Sequence, residues 1–146
     1  MKGCPSIILL VEDDEAHAEI VRRHFESFSI PTRLMHSADG QTALDYLYQR
    51  KQFSSPADAP RPDLILLDLN LPIISGLELL KIIKEDVNLK RIPVTILSTS
   101  DSASDIDQAY DRYSNSYLVK PMNLEKFTKM LDSCGNYWLK KNLASI

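Results

Sequence analysis

The sequence is poor in cysteine and carries no surplus of positive charge. Its 146 residues include only Cys4 and Cys134, which form neither a CxxC pair nor a zinc-binding spacing. We therefore expect no zinc site, and a reduced intracellular protein is the simplest interpretation. The formal net charge is −3, so the chain lacks the basic footprint that nucleic-acid binding requires. We expect no nucleic-acid partner.

Long apolar runs are also missing. The apolar run 7–11 near the N-terminus is followed directly by acidic residues, and it is too short for the core of a signal peptide or for a membrane span. We therefore expect a cytoplasmic protein without a membrane partner. The length suits one domain, so residues 1–146 are expected to form a single domain with no output domain.

Short apolar runs alternate along the chain with longer amphipathic stretches. The pattern predicts strands at 7–11, 32–36, 64–67, 93–97 and 117–119, each followed by a helix. Ser102 and Asn123 are expected to cap the last two helices. Alternating strands and helices indicate an α/β fold, a doubly wound five-stranded parallel sheet flanked by five helices. In such sheets ligands bind beyond the carboxyl ends of the strands.

Acidic residues follow two of these strands. Glu12, Asp13 and Asp14 end the first strand, and Asp68 ends the third. If the two strands are neighbours, three or four carboxylates meet, and two negative charges about 4 Å apart repel by about 4 kcal/mol at an effective dielectric near 20. Oxygen ligands without His or Cys favour Mg²⁺. For Asp14, capping of the next helix is an equally good explanation.

The two remaining strand ends carry a hydroxyl and a cation. Ser98 leads a Ser-Thr-Ser run after the fourth strand, and Lys120 follows the fifth. Helix capping would also explain Thr99 or Ser100, and a solvated side chain would also explain Lys120. Together with the carboxylates, these groups suit acyl-phosphate chemistry, which needs a carboxylate nucleophile, a metal ion and further partners for the phosphoryl oxygens.

These residues resemble the response-regulator receiver domains over nearly the whole chain. Glu12 and Asp13 are similar to the family's acidic pair, and Asp68 to its phosphoacceptor. Ser98 and Lys120 stand 30 and 52 positions after Asp68, as the family's switch hydroxyl and lysine do. The resemblance implies strand order 2-1-3-4-5 and a two-component response regulator. Such a protein accepts a phosphoryl group from a sensor histidine kinase, and the only reactions that it catalyses are its own phosphorylation and dephosphorylation.

The resemblance also implies roles for the site residues. Asp13 and Asp68 would bind Mg²⁺ directly, Glu12 would act through water, and the backbone carbonyl of Asn70 would complete the protein ligands. Ser98 and Lys120 would each contact a phosphoryl oxygen.

Two further features come with the resemblance. Tyr117 stands at the family's aromatic switch position, although a plain strand aromatic remains the alternative. The Lys120–Pro121 peptide bond would be cis.

A narrower resemblance is to the single-domain phytochrome response regulators of cyanobacteria. It rests on the proline-rich loop before the third strand, the run Asp68-Leu69-Asn70-Leu71-Pro72 and the C-terminal Tyr137-Trp138-Leu139. It implies a phytochrome-type histidine kinase as partner. It also implies a homodimer through the face of the fourth helix, fifth strand and fifth helix, together with the C-terminal aromatics. A tail folded over the domain's own surface is the alternative explanation for those aromatics.

Two other classes of protein fit less well. A haloacid-dehalogenase-like phosphatase would need a second Asp where Asn70 stands, and a flavodoxin-like electron carrier would need hydroxyls where the first acids stand. A phosphodonor role for His17, His24 or His36 is the alternative to ordinary surface or core positions, and such positions explain these histidines better.

Overall fold

In the computed structural model, residues 4–144 are described, and this range contains five strands that alternate with five helices. The strands are β1 (Ser6–Val11), β2 (Thr32–Ser37), β3 (Leu64–Leu67), β4 (Val94–Ser98) and β5 (Ser116–Val119). The helices are α1 (Glu15–Glu26), α2 (Gly40–Leu47), α3 (Gly76–Glu85), α4 (Ala103–Asp111) and α5 (Leu124–Gly135). A 3₁₀ turn at Lys51–Phe53 and a π-helical segment at Asn136–Lys141 complete the regular structure.

The five strands form one parallel sheet in the order β2-β1-β3-β4-β5. The predicted fold class and strand order are confirmed. At the end of β1, Val11 pairs with Ser37 on one side and with Leu67 on the other. The direction of winding changes between β1 and β3, so the crevice where a doubly wound sheet binds ligands opens beyond these two strands.

Both faces of the sheet are buried, as its short apolar strands predict. Leu64 and Leu66 of β3 pack in the layer formed by α1 and α5, where Phe25 and Leu131 lie. Ile65 and Leu67 pack in the opposite layer, formed by α2, α3 and α4. Each fully buried leucine or isoleucine side chain contributes about 1.5–3 kcal/mol. This packing fixes the strand ends that carry the polar residues.

A side-chain cap starts each helix just beyond a strand or loop. Asp14, Asp39, Ser75, Ser102 and Asn123 each accept backbone N–H groups of the first turn, and such a cap contributes about 1 kcal/mol. The predicted caps Ser102 and Asn123 are confirmed. Asp14 also proves to be a cap.

The C-terminal segment differs in one respect from the expectation. The spacing of Phe127, Leu131, Cys134 and Trp138 in the sequence predicts one inward apolar stripe, with Tyr137 and Leu139 off it. Phe127, Leu131 and Cys134 are buried along this stripe, and Tyr137 is exposed. Leu139, expected off the stripe, packs against the α1–α5 layer. The reason is the wider π-helical winding after Asn136, which shifts the phase of the side chains.

No helix within residues 4–144 combines the length and apolar character needed to cross a bilayer.

Candidate functional site

Three carboxylates converge at the edge of the sheet where β1 and β3 end. One oxygen each from Glu12, Asp13 and Asp68 lies within 4.8 Å of the others. Glu12 and Asp68 are buried and Asp13 is exposed. The predicted acidic cluster is therefore assembled, whereas Asp14 points its carboxylate at the backbone N–H groups of Ala16 and His17.

Lys120 brings a positive charge into this cluster from the end of β5. Its side chain is 3% exposed, and its Nζ donates a hydrogen bond to Glu12 Oε1. The same Nζ lies 3.7 Å from Asp68 Oδ2. Because an ammonium group has three donors and no acceptor, Lys120 compensates part of the negative charge that the sheet places here.

Burial raises the pKa of Glu12 by more than the neighbouring Lys120 lowers it. Desolvation, the largest effect, raises the pKa of Glu12 to about 7, while the hydrogen bond from Lys120 acts in the opposite direction and the nearby Asp68 adds to the increase. A carboxylate whose pKa is raised by its surroundings gains from a cation placed beside it. The pocket is thus electrostatically suited to a bound positive ion.

Ser98 and Tyr117 are connected through Ser100. Ser98 is fully buried, and its Oγ accepts a hydrogen bond of 3.1 Å from the backbone N–H of Ser100. The Tyr117 hydroxyl donates to the carbonyl oxygen of Ser100 at 2.8 Å, and Ser100 Oγ donates to Asp105 in the first turn of α4. One residue therefore links the hydroxyl at the end of β4 to β5 and α4.

The loop from β3 to α3 lies tightly against Asp68. The backbone N–H of Asn70 donates to Asp68 Oδ1 at 3.4 Å. A Cβ atom at Gly76 would stand 2.2 Å from the carbonyl oxygen of Asp68, a distance that no side chain allows. Glycine at this position lets α3 start directly over the phosphoacceptor candidate. The role of the Asn70 carbonyl as a metal ligand stays a prediction.

Two histidines near the site were not assigned to it from the sequence. His17 Nδ1 lies 3.0 Å from Lys120 Nζ, and His36 Nε2 lies 2.7 Å from the carbonyl oxygen of Glu12. The one sequence signal that could have placed His17 near the site was its position in the first turn of α1, just after the cap Asp14. His24 lies away from this cluster, with Nε2 3.5 Å from Asp132 and its ring against Phe25.

The predicted cis bond before Pro121 is wrong. The peptide bonds within residues 4–144 are all trans. With a trans bond between Lys120 and Pro121, the Lys120 side chain still contacts Glu12. The backbone N–H of Lys120 donates to the carbonyl oxygen of Ser98 at 2.7 Å. The trans form of an X–Pro bond is also favoured by about 0.5–1 kcal/mol.

The donor set fits a hard divalent cation. Carboxylate oxygens meet within 4.8 Å, without a His or Cys ligand that would favour zinc or copper. The buried Ser98 hydroxyl and the Lys120 ammonium end the two adjoining strands. The fold and the site together define a doubly wound α/β domain with an acidic pocket at its switch point, and the donor atoms of this pocket suit a divalent cation.

Comparison with known proteins specifies the family. The chain matches the response regulator receiver domain over residues 8–132, and it belongs to that family of two-component signalling domains. It is 40% identical over 136 residues to the response regulator Rcp1 of Synechocystis sp., covering 93% of this chain and 90% of Rcp1. It is 41% identical over 138 residues to the probable methanogenesis regulatory protein FilR2 of Methanothrix harundinacea, covering 94% of this chain and 86% of FilR2.

Solved structures agree with this assignment. The phosphorylated cyanobacterial phytochrome response regulator RcpA superposes with a TM-score of 0.92 at 38% identity, covering 98% of this chain and 100% of RcpA. The Mn²⁺-bound form of Rcp1 superposes with a TM-score of 0.90 at 38% identity, covering 97% of this chain and 100% of that structure. The similarity to phytochrome response regulators expected from the sequence is confirmed.

Proposed function

We propose that the protein is a response regulator that accepts a phosphoryl group on Asp68 from a sensor histidine kinase. The observation that carries the proposal is the convergence of Glu12, Asp13 and Asp68 within 4.8 Å, with Lys120 Nζ 3.7 Å from Asp68. A carboxylate oxygen of Asp68 attacks phosphorus as the P–N bond of the donor phosphohistidine breaks. The bonding electrons stay on the imidazole nitrogen, and an acyl phosphate forms.

The surrounding residues have distinct tasks in this reaction. Glu12, Asp13, Asp68 and the Asn70 carbonyl would hold Mg²⁺, which supplies charge neutralisation for the phosphoryl oxygens. Lys120, held by Glu12, presents its ammonium group on the side of Asp68 Oδ2. These fixed charges favour the transition state because they are already oriented before the donor arrives.

Phosphorylation is proposed to act through the Ser98–Ser100–Tyr117 connection. When Ser98 Oγ turns toward a phosphoryl oxygen, it leaves the backbone N–H of Ser100. The carbonyl of Ser100 holds Tyr117, and its hydroxyl holds Asp105 of α4. A shift at Ser98 is thereby passed to the face of α4, β5 and α5, where two conformations can be populated differently.

A phytochrome-type histidine kinase is the proposed donor. The similarity to Rcp1 and RcpA supports this partner, as do the proline-rich loop and the Tyr137-Trp138-Leu139 segment. FilR2 is equally similar along the chain, so a kinase with another input is the alternative outcome of the test. The single-domain organisation of residues 1–146, the cytoplasmic location and the lack of a nucleic-acid partner stay predictions.

A homodimer is proposed through the face of α4, β5 and α5. Exposed apolar side chains on this face include Tyr110, Val119 and Tyr137. A groove of about 370 Å³ between β5 and the C-terminal segment is lined by Leu118, Met130 and Trp138, among others. Apolar surface of this kind favours a partner, and a second copy closes a twofold interface.

The phosphoryl donor is tested by transfer from a radiolabelled phytochrome-type histidine kinase. Wild type should gain label rapidly with Mg²⁺ and not with EDTA, and Asp68→Asn should gain none. Asp58→Asn, which removes an exposed carboxylate from a surface loop, is the matched control and should behave as wild type. Label from acetyl phosphate but not from this kinase would refute the phytochrome partner. Label from neither would refute the phosphoacceptor proposal.

The dimer is tested by sedimentation equilibrium. Tyr137→Arg should shift the protein toward monomer, because it places a charge in the proposed interface. Val87→Arg, at an exposed position after α3, should leave the association unchanged. A monomeric wild type, or two variants with equal effects, would contradict the proposed face.

A further inference from the structure

We propose that His17 is a positioning residue for phosphoryl transfer, acting through Lys120. This inference rests on the proposed function, since it concerns the ammonium group that faces Asp68. The contact that carries it joins His17 Nδ1 to Lys120 Nζ at 3.0 Å. It lies beside the three-carboxylate cluster and uses no carboxylate oxygen of that cluster.

The chemistry of the pair determines which atom donates. An ammonium group has only donors, and Asp14 Oδ2, 3.8 Å from Nδ1, is too distant to accept a hydrogen bond from it. In the proposed arrangement His17 Nδ1 therefore accepts, and the ring proton resides on Nε2. Glu12 Oε1 takes a second N–H of the same ammonium group. With two of its three donors held, Lys120 has one remaining N–H, and Asp68 Oδ2 lies 3.7 Å away. His17 therefore restricts the rotation of the group that would contact a phosphoryl oxygen.

His17 is itself held by the cap of its own helix and by α5. Its backbone N–H donates to the cap Asp14 at 3.1 Å, and its ring packs against Phe127 of α5 with centroids 6.1 Å apart. Its side chain is 30% exposed, whereas that of Lys120 is 3% exposed. The imidazole thus bridges α1, the end of β5 and α5 at the boundary between the buried lysine and solvent.

Two substitutions separate the acceptor from the ring. His17→Asn keeps an acceptor oxygen near the place of Nδ1 but loses the ring. His17→Phe keeps the ring against Phe127 but has no acceptor. We expect His17→Asn to be phosphorylated by acetyl phosphate within about twofold of wild type. We expect His17→Phe to be about 3- to 10-fold slower, since one hydrogen bond to a charged group is lost and water replaces it in part.

The kinetic pattern distinguishes positioning from a structural effect. At saturating Mg²⁺ the loss in His17→Phe should lie in the rate at saturating donor, with the donor concentration for half-maximal rate unchanged. In a Lys120→Ala background, His17→Phe should cause no further loss. Equal rates in His17→Phe and wild type, or the same additional loss without Lys120, would overturn the proposal. Thermal unfolding of each variant establishes that the compared chains are folded.

The pair can also be observed without phosphorylation. Long-range ¹H–¹⁵N correlation spectra should show an unprotonated Nδ1 and a protonated Nε2 on His17, and Lys120→Met should shift the Nδ1 resonance. A protonated Nδ1, or no response to Lys120→Met, would overturn the proposal even if Asp68 is phosphorylated normally. If wild type takes no phosphoryl group, the proposed function fails, and the spectra still decide whether His17 holds Lys120.

Discussion

Replacing Asp68 with Asn should stabilise the metal-free protein, although it removes the proposed phosphoacceptor. The carboxylate oxygens of Glu12, Asp13 and Asp68 lie within 4.8 Å, so each ionised pair repels by roughly 3–4 kcal/mol at an effective dielectric near 20. Asp68→Asn removes two such repulsions and one attraction to Lys120, 3.7 Å away. Because Asp13 is exposed and screened, we expect a net gain of about 1–3 kcal/mol in the free energy of unfolding.

The assay is urea unfolding at pH 8 in EDTA and then in saturating Mg²⁺. This pH lies above the raised pKa of Glu12, about 7, so the Glu12 carboxyl is mostly ionised. Mg²⁺ should stabilise wild type by mass action and Asp68→Asn much less, because the variant has lost a proposed ligand. Asp58→Asn, at an exposed loop position, should change neither value. A less stable Asp68→Asn, or equal stabilisation of both chains by Mg²⁺, would refute the reasoning.

Three further predictions follow from single contacts. Gly76→Ala should lower the free energy of unfolding by about 1–3 kcal/mol and slow phosphorylation, because the added Cβ would stand 2.2 Å from the carbonyl oxygen of Asp68. An unchanged urea midpoint together with an unchanged phosphorylation rate would contradict this. In EDTA, the free energy of unfolding of wild type relative to Glu12→Gln should fall as pH rises from about 4.5 to about 7. The reason is that native Glu12 keeps its proton over a pH range in which the unfolded chain releases it. A difference in free energy of unfolding that does not change with pH would be evidence against the buried carboxyl. Lys84→Met should lower the free energy of unfolding in urea by about 2–3 kcal/mol, because the Lys84 ammonium group donates to two backbone carbonyls and to Asn115. A decrease below about 0.5 kcal/mol would show that water replaces these hydrogen bonds.

Strand ends were the part of the site that the sequence predicted well. Asp68 and Ser98 follow apolar runs whose burial on both faces leaves little freedom in register, so a parallel sheet brings their ends together. The same reasoning only partly separated the roles of the acidic residues after β1. Asp14 differs from Asp13 in its hydrogen bonds to Ala16 and His17, and this depends on the residue at which α1 begins.

Contacts between elements far apart in the chain could not be read from the pattern. His17 and Lys120 meet because α1 and α5 pack on the same face of the sheet, which places the start of α1 beside the end of β5. Helical periodicity assigns a face to His17 but not a partner. Leu139 was misplaced for a related reason, since the π-helical winding after Asn136 changes the spacing on which its predicted exposure relied.

The most direct measurement is to locate the phosphoryl group after incubation of the full chain with acetyl phosphate and Mg²⁺. Intact mass spectrometry followed by peptide mapping should show one phosphoryl group on Asp68, removed by hydroxylamine and absent when EDTA is present. Asp68→Asn should remain unmodified under the same conditions. A phosphoryl group on another residue, or one that forms in Asp68→Asn or without a divalent cation, would contradict the account.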